Sequence, residues 1–148
     1  MEKILVVCVG NICRSVIGER ILRDRLPARF TVESAGIGAL AGHSADEDAS
    51  TVAAEHGVDL GGHIARQFSA DIGREFDLIL ALEPGHKRVI GETASELSGR
   101  VMLLDQWVGA KGIADPYQKD LAFHQKTFEE VSNAVDQWVK RLNPEARS

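Results

Sequence analysis

The residues best suited to chemistry lie in one run near the N-terminus, from Cys8 to Ser15, with the sequence CVGNICRS. An ionised thiol is a nucleophile, and an arginine fork binds two oxygens of a phosphate at once. Gly10 and Asn11 tolerate unusual backbone angles, so successive N–H groups can wrap around an anion. If a helix starts near Arg14, its unpaired N–H groups and its dipole attract the anion and favour the thiolate. We therefore interpret this run, the Cys8–Ser15 loop, as an oxyanion-binding loop with Cys8 at its base.

A second candidate lies late in the chain, where Asp115, Pro116 and Tyr117 follow one another. A carboxyl group near a reacting centre can act as a general acid. Asp-Pro is also a common turn pair, and a lone tyrosine often packs into a core. Together with the Cys8–Ser15 loop, the favoured interpretation of Asp115 is a general acid, with Tyr117 as an exposed aromatic wall.

The elements that must position these residues follow from the alternation of apolar runs with amphipathic stretches. Gly57 is a predicted helix stop, Ser69 a predicted cap, and Pro144 closes the last helix. Strands that alternate with helices predict an α/β fold, with a parallel sheet covered on both faces and ligands beyond the carboxyl ends of its strands. We expect one domain over residues 1–148. The predicted strands span residues 3–8, 30–34, 65–68, 77–82 and 100–105, and the predicted helices span residues 14–25, 45–56, 84–94 and 121–142.

Composition excludes several classes of protein. The chain has 17 Lys and Arg against 22 Asp and Glu, a net charge of −5, which argues against a general nucleic-acid binder. No apolar run approaches the ~18 residues of a membrane helix, so no membrane insertion is expected. Two cysteines this close do not make a secreted disulfide scaffold, so we predict a cytoplasmic protein. His43, His56, His86 and His124 show no metal-ligand spacing, and we predict no metal and no cofactor.

The Cys8–Ser15 loop reads Cys, five residues, Arg, then Ser, and the Asp-Pro pair follows late in the chain. With the SAG run from Ser34, the HIARQ run from His63 and the DLIL strand, the chain resembles the low-molecular-weight protein-tyrosine phosphatase family over essentially its whole length. It looks closest to the bacterial branch associated with tyrosine kinases of capsule and exopolysaccharide export. The resemblance implies a three-layer sandwich with a central four-stranded parallel sheet. It also implies a phosphotyrosine-bearing protein as partner, namely a bacterial tyrosine kinase of that kind, and a monomer.

The resemblance also implies a role for each matching residue. Cys8 attacks phosphorus to form a phosphocysteine, and Arg14 holds the phosphoryl oxygens. Asp115 protonates the leaving tyrosyl oxygen and then activates the hydrolytic water. The residues implied to bind substrate are Val9, Gly10, Asn11, Ile12, Cys13, Ser15, Leu40 and Tyr117, and His63 and Ser34 are implied to support the loop from behind.

Three alternative functions are less consistent with the sequence. An arsenate reductase of this fold uses a relay through further cysteines, as the resemblance implies, and no cysteine follows Cys13. A protein-arginine phosphatase looks different inside the loop, with Thr where this chain has Ile12. An inactive phosphotyrosine-binding module is expected to have lost the Cys, the Arg or the acid.

Two residues of the loop region carry further predictions. Val16 stands where the family usually has Pro, which predicts a less rigid loop with intact chemistry. Cys13 is a candidate partner for Cys8 in a reversible disulfide.

Overall fold

The computed structural model describes residues 2–147, and its four strands form one parallel sheet in the order β2-β1-β3-β4. The predicted α/β fold is therefore confirmed, with β1 between two neighbours. The strands are β1 (Lys3–Cys8), β2 (Thr31–Gly36), β3 (Leu78–Ala81) and β4 (Val101–Leu103). The helices are α1 (Arg14–Arg25), α2 (Glu47–Glu55), α3 (Ala70–Gly73), α4 (Pro84–Thr93) and α5 (Leu121–Leu142), with 3-10 turns at Ser95–Arg100 and Pro144–Arg147.

The sheet is covered on both faces because alternate side chains of a strand point to opposite sides. Ile4, Val6 and Cys8 join a cluster with α1, α2 and α5. Leu5 and Val7 join a second cluster with α4 and the turn before β4. This three-layer arrangement explains why β1 is apolar along nearly its whole length.

Side-chain caps fix where the helices begin beside the loop. Asp46 caps α2 by accepting a hydrogen bond from the Ala49 N–H at 3.0 Å, and Asp120 caps α5 by accepting from the Phe123 N–H at 2.9 Å. Gly57 has a φ of +78°, which a glycine adopts without steric cost, and it follows the end of α2 as predicted. Ser69 accepts from the Ile72 N–H at 3.2 Å, so the predicted cap is confirmed as well.

Three predicted elements differ clearly from the structure, while α2, β3 and α4 depart from their predicted bounds by one or two residues at an end. β2 begins and ends later than predicted, at Thr31 and Gly36. The predicted strand at 65–68 is wrong, because only Gln67 forms a bridge, opposite Gly36. β4 spans only three residues, because the chain turns at Asp105. The Asp105 carbonyl accepts hydrogen bonds from the backbone N–H groups three and five residues later in the chain. No helix within residues 2–147 is long and apolar enough to cross a membrane.

Candidate active site

The Cys8–Ser15 loop connects β1 to α1, and its backbone carbonyls all point outward. Each of the six carbonyls from Cys8 to Cys13 accepts a hydrogen bond. Because a peptide's N–H and C=O point in opposite directions, outward carbonyls turn N–H groups toward the inside of the loop. The donor–acceptor pairs are Ile37 N to Cys8 O (2.9 Å), Gly38 N to Val9 O (3.0 Å), Leu40 N to Gly10 O (3.1 Å), His63 Nε2 to Asn11 O (2.6 Å), Asp46 N to Ile12 O (2.9 Å) and Ile17 N to Cys13 O (3.1 Å).

The inward N–H groups are free to bind a ligand. Within residues 2–147, no backbone N–H from residue 9 to residue 13 donates to a protein acceptor. Successive N–H groups that line a concave loop form an anion-binding nest, and the N-terminus of α1 adds partial positive charge. The loop can therefore bind a phosphate through its backbone.

Asn11 holds the loop in this shape from behind. Its φ is +60°, a conformation that Asn tolerates better than most residues, and its side chain is fully buried. Asn11 Nδ2 donates to Ser15 Oγ at 2.8 Å and to Ser34 Oγ at 3.0 Å, while Oδ1 accepts from the Arg66 N–H at 2.9 Å. Ser34 in turn donates to Glu19 at 2.9 Å, so a buried chain of hydrogen bonds ties the loop to β2 and α1.

Cys8 Sγ lies at the end of β1 and is 2% exposed. It is 2.9 Å from Ser15 Oγ. Since Ser15 Oγ already accepts from Asn11, its own proton is free to be donated to the sulfur. That donation stabilises a thiolate both as attacking group and as leaving group.

Arg14 is only 1% exposed, and its charge is balanced from one side. Nη1 donates to Glu83 Oε2 at 2.5 Å and to the Ile113 carbonyl at 2.6 Å. Nη2 is 3.6 Å from Asp115 Oδ2. Nε and Nη2 donate to no hydrogen-bond acceptor within residues 2–147, so this edge of the guanidinium is available to two phosphoryl oxygens.

Asp115 lies opposite the loop on the segment between β4 and α5. Its Oδ1 accepts from the Tyr117 N–H at 3.0 Å, which leaves Oδ2 facing Arg14. The segment is held in place where Asp105 Oδ2 accepts from the Gly112 N–H at 2.9 Å. The carboxyl group of Asp115 remains exposed to solvent, as a group that exchanges protons must be.

A cavity of about 130 Å³ lies between these parts. Two larger surface grooves, of about 500 and 560 Å³, contain no cysteine in their linings, so the smaller cavity is the one suited to this chemistry. Leu40 is half-buried on one side and Tyr117 is 42% exposed on the other. The lining residues are Cys8, Val9, Gly10, Ile12, Cys13, Arg14, Gly38, Leu40, Asp115 and Tyr117.

Two titratable groups around the loop are held uncharged. Burial is the main cause that lowers the pKa of His63 below its ordinary value, so the ring stays neutral while Nε2 donates to the Asn11 carbonyl. Burial, followed by the negative charges of Asp46 and Cys8, raises the pKa of the Cys13 thiol. Cys13 is therefore a poor nucleophile. Both cysteines are free, and a disulfide between them remains a prediction.

The structure brings all the predicted site residues to this one place. Nine of them line the cavity, and Asn11, Ser15, Ser34 and His63 lie directly behind it. Sequence reasoning missed Glu83, the partner of Arg14. The available signal was its position two residues beyond the carboxyl end of β3, the edge where ligands of parallel sheets bind.

A thiol at the base of an N–H nest, with a buried arginine beside it and a carboxyl group opposite, defines a cysteine-dependent phosphoryl-transfer site. Residues 3–148 match the family model described as low molecular weight phosphotyrosine protein phosphatase. The low molecular weight protein-tyrosine-phosphatase Etp of Escherichia coli (strain K12) is 47% identical over 142 residues, covering 96% of this chain and 95% of Etp.

Solved structures agree with this match. The tyrosine phosphatase Wzb from Escherichia coli K30, in complex with sulphate, superposes with a TM-score of 0.93 at 40% identity, covering 96% of this chain and 99% of that one. Vibrio vulnificus Wzb in complex with benzylphosphonate superposes with a TM-score of 0.92 at 42% identity, covering 95% and 98%.

The chain belongs to the low molecular weight phosphotyrosine protein phosphatase family. It is a protein-tyrosine phosphatase, an enzyme that hydrolyses phosphotyrosine. The arsenate reductase, the arginine phosphatase and the inactive binding module are not favoured by these relatives.

Proposed function

We propose that Cys8, Arg14 and Asp115 carry the reaction. Cys8 Sγ attacks phosphorus as the thiolate, and the bond from phosphorus to the tyrosyl oxygen breaks. Asp115 donates its proton to that oxygen, which leaves as the phenol of tyrosine. The negative charge that develops on the three phosphoryl oxygens is stabilised by Arg14 and by the N–H groups of residues 9–13.

The second half of the reaction uses the same groups in reverse. Asp115, now a carboxylate, takes a proton from a water molecule that attacks the phosphocysteine. The sulfur–phosphorus bond breaks, inorganic phosphate forms, and Cys8 returns to the thiolate with Ser15 Oγ donating to it from 2.9 Å. The observation that carries this proposal is the set of six outward carbonyls, because it leaves the inner N–H groups with no other role within the described chain.

Hydrolysis of p-nitrophenyl phosphate and phenyl phosphate near pH 5.5, in EDTA, tests these roles. We expect Cys8→Ser to be inactive. Asp115→Asn should lose about 10²–10⁴-fold in kcat with phenyl phosphate and less with p-nitrophenyl phosphate, whose less basic leaving oxygen depends less on a proton. Asp71→Asn, which changes an exposed carboxylate that does not line the cavity, is the matched control. Equal losses with both substrates would remove Asp115 from the acid role.

The cavity also supports proposals for the substrate and the partner. Cys8 is at the cavity floor, so a long, flat phosphotyrosine reaches it while a phosphoserine side chain is too short. Leu40 and Tyr117 are proposed to contact the two faces of the ring. Wzb of Vibrio vulnificus binds benzylphosphonate, which supports an aromatic ring at this place. Phosphotyrosine, phosphoserine and phosphoarginine peptides of one sequence should differ in kcat/KM in favour of the first.

The partner that the family resemblance supports is a bacterial tyrosine kinase of capsule or exopolysaccharide export. Cys8→Ser should retain that kinase only while the kinase is phosphorylated, and prior dephosphorylation should abolish the complex. A complex that survives dephosphorylation would contradict binding through the active site.

Three structural expectations complete the proposal. One domain is supported by the two apolar clusters, which share a single sheet, and it predicts one cooperative unfolding transition. A cytoplasmic location is supported by the two free thiols, one of which must stay reduced to act. A monomer is proposed from the resemblance, and light scattering coupled to size exclusion tests it.

A further inference from the structure

The first turns of α2 and α5 bring three possible metal ligands together beside the Cys8–Ser15 loop. Asp46 caps α2, and Asp48 lies in its first turn. His124 is the fourth residue of α5. One ligand atom from each of the three residues lies within 4.8 Å of the other two.

His124 gives the cluster its significance. The residue is 2% exposed, and its Nε2 has no hydrogen-bond partner within residues 2–147. Nε2 is 3.8 Å from Asp46 Oδ2, too far for a hydrogen bond but on the side of the two carboxylates. Buried polar atoms of native proteins are almost always paired, so this nitrogen requires a partner that lies between it and the carboxylates.

We propose that Asp46, Asp48 and His124 bind a divalent transition-metal ion of the Zn²⁺ type, separate from the reacting centre. Zn²⁺ binds His nitrogen and Asp oxygen at about 2.0–2.2 Å, which places tetrahedral ligand atoms roughly 3.3–3.5 Å from one another. The observed separation of 3.8 Å between His124 and Asp46 is close to that value. Imidazole selects Zn²⁺ and its neighbours over Mg²⁺ and Ca²⁺, and water would occupy the fourth position.

The neighbouring contacts hold the ligands in place before any ion arrives. His56 stacks on Phe128 with ring centroids 4.3 Å apart, and Gln125 Nε2 donates to Glu55 at 2.8 Å, so α2 and α5 are held in fixed register. Asp46 Oδ2 is oriented by the Ala49 N–H at 3.0 Å. The site therefore needs only a rotation of Asp48, which is exposed.

The site is also joined to the catalytic loop. The Asp46 N–H donates to the Ile12 carbonyl at 2.9 Å, one of the six contacts that shape the nest. An ion bound to the Asp46 carboxylate fixes the residue whose backbone supports Ile12. Its role is to stabilise the loop, because the reaction proposed above uses only Cys8, Arg14 and Asp115. The sequence predicted no metal because His124 and the two aspartates are far apart in the chain and meet only in the fold.

Binding is tested on the full chain in the Cys8→Ser background, since a thiolate would itself bind the probe ions. Zn²⁺ is titrated calorimetrically near pH 7, and Co²⁺ is titrated by absorption spectroscopy. Asp48→Asn removes one ligand. Glu47→Gln removes the same charge from the same exposed turn and leaves the three ligands intact, which makes it the matched control. The ring ¹⁵N shifts of His124 report directly on its nitrogen.

We expect one Zn²⁺ per chain, a His124 Nε2 shift on binding, and Co²⁺ bands without thiolate charge transfer. Asp48→Asn should weaken binding by about tenfold or more, and Glu47→Gln by less than about threefold. Equal affinities in the two variants, cobalt–thiolate absorption, or absence of binding would each overturn the site. So would a His124 ring that is protonated against Asp46 and unaffected by Zn²⁺.

Discussion

Asn11 makes the sharpest test of how the nest is held, because its backbone and side-chain contributions can be separated. Asn11→Ala and Asn11→Gly both delete the same three hydrogen bonds, which connect the side chain to Ser15, Ser34 and Arg66. At about 1 kcal/mol net for each bond, both variants should lose about 3 kcal/mol of unfolding free energy.

The two variants differ in backbone cost. At a φ of +60°, alanine carries a left-handed penalty of roughly 1–2 kcal/mol that glycine does not. Glycine loses about 0.5–1 kcal/mol through its freer unfolded chain. The alanine variant should therefore be the less stable by about 1 kcal/mol. Since these losses are a large part of the usual 5–15 kcal/mol, kcat/KM should also fall in both variants as the nest loosens.

Urea unfolding followed by circular dichroism measures the effect. With an m-value of about 2 kcal/mol/M, a loss of 3 kcal/mol moves the midpoint by about 1.5 M. Gln118 is the control, because its φ is +62° while its side chain is exposed and makes no hydrogen bond within residues 2–147. Gln118→Gly should be as stable as wild type or more so. An Asn11→Ala variant within about 0.5 kcal/mol of wild type would refute the reasoning.

Three further outcomes follow from the contacts of the site. Glu83→Ala should lower kcat/KM by about tenfold, the value of one charge-assisted bond to Arg14, and Glu83→Gln should restore most of it because the amide oxygen can accept the same bond. Full activity in the alanine variant would contradict that role. A Cβ at Gly36 would collide with a backbone carbonyl of the loop, so Gly36→Ala should cost about 1–3 kcal/mol and weaken phosphate binding, whereas Gly85→Ala, with open space around it, should not. Because burial lowers the pKa of His63, the unfolded chain takes up its proton first as the pH falls, so unfolding free energy should drop below about pH 6.5 until the lowered pKa is passed. His63→Gln should flatten that part of the pH profile, and an unchanged profile would refute it.

Local signals were enough to predict the elements nearest the site. β1, α1 and α5 have the predicted bounds. A short apolar run with clear ends specifies the strand, and the helical spacing of apolar residues specifies the two helices. The loop that connects β1 to α1 could likewise be predicted, since its residue types act together over a short stretch. The anion-binding function of this loop can be predicted without knowing which distant residues contact it.

Contacts between distant segments could not be predicted in the same way. Glu83 meets Arg14 only because β3 lies beside β1, and the sequence gives no direct measure of strand order. The predicted strand at 65–68 failed for a related reason. Its backbone hydrogen bonds are divided among Gly36, residues 42–43 and Asn11, so the segment stays extended without forming a strand.

Because β1 is central in the sheet, its two flanks supply different parts of the active site. The β2 side supplies Ile37, Gly38 and Leu40, whose backbone N–H groups donate to the carbonyls of the Cys8–Ser15 loop. The β3–β4 side supplies Glu83 and the segment that carries Asp115. Substitutions in that segment can therefore alter how a leaving group is protonated or recognised while the phosphate-binding backbone keeps its form. One scaffold can in this way acquire new specificities from one flank without rebuilding the other.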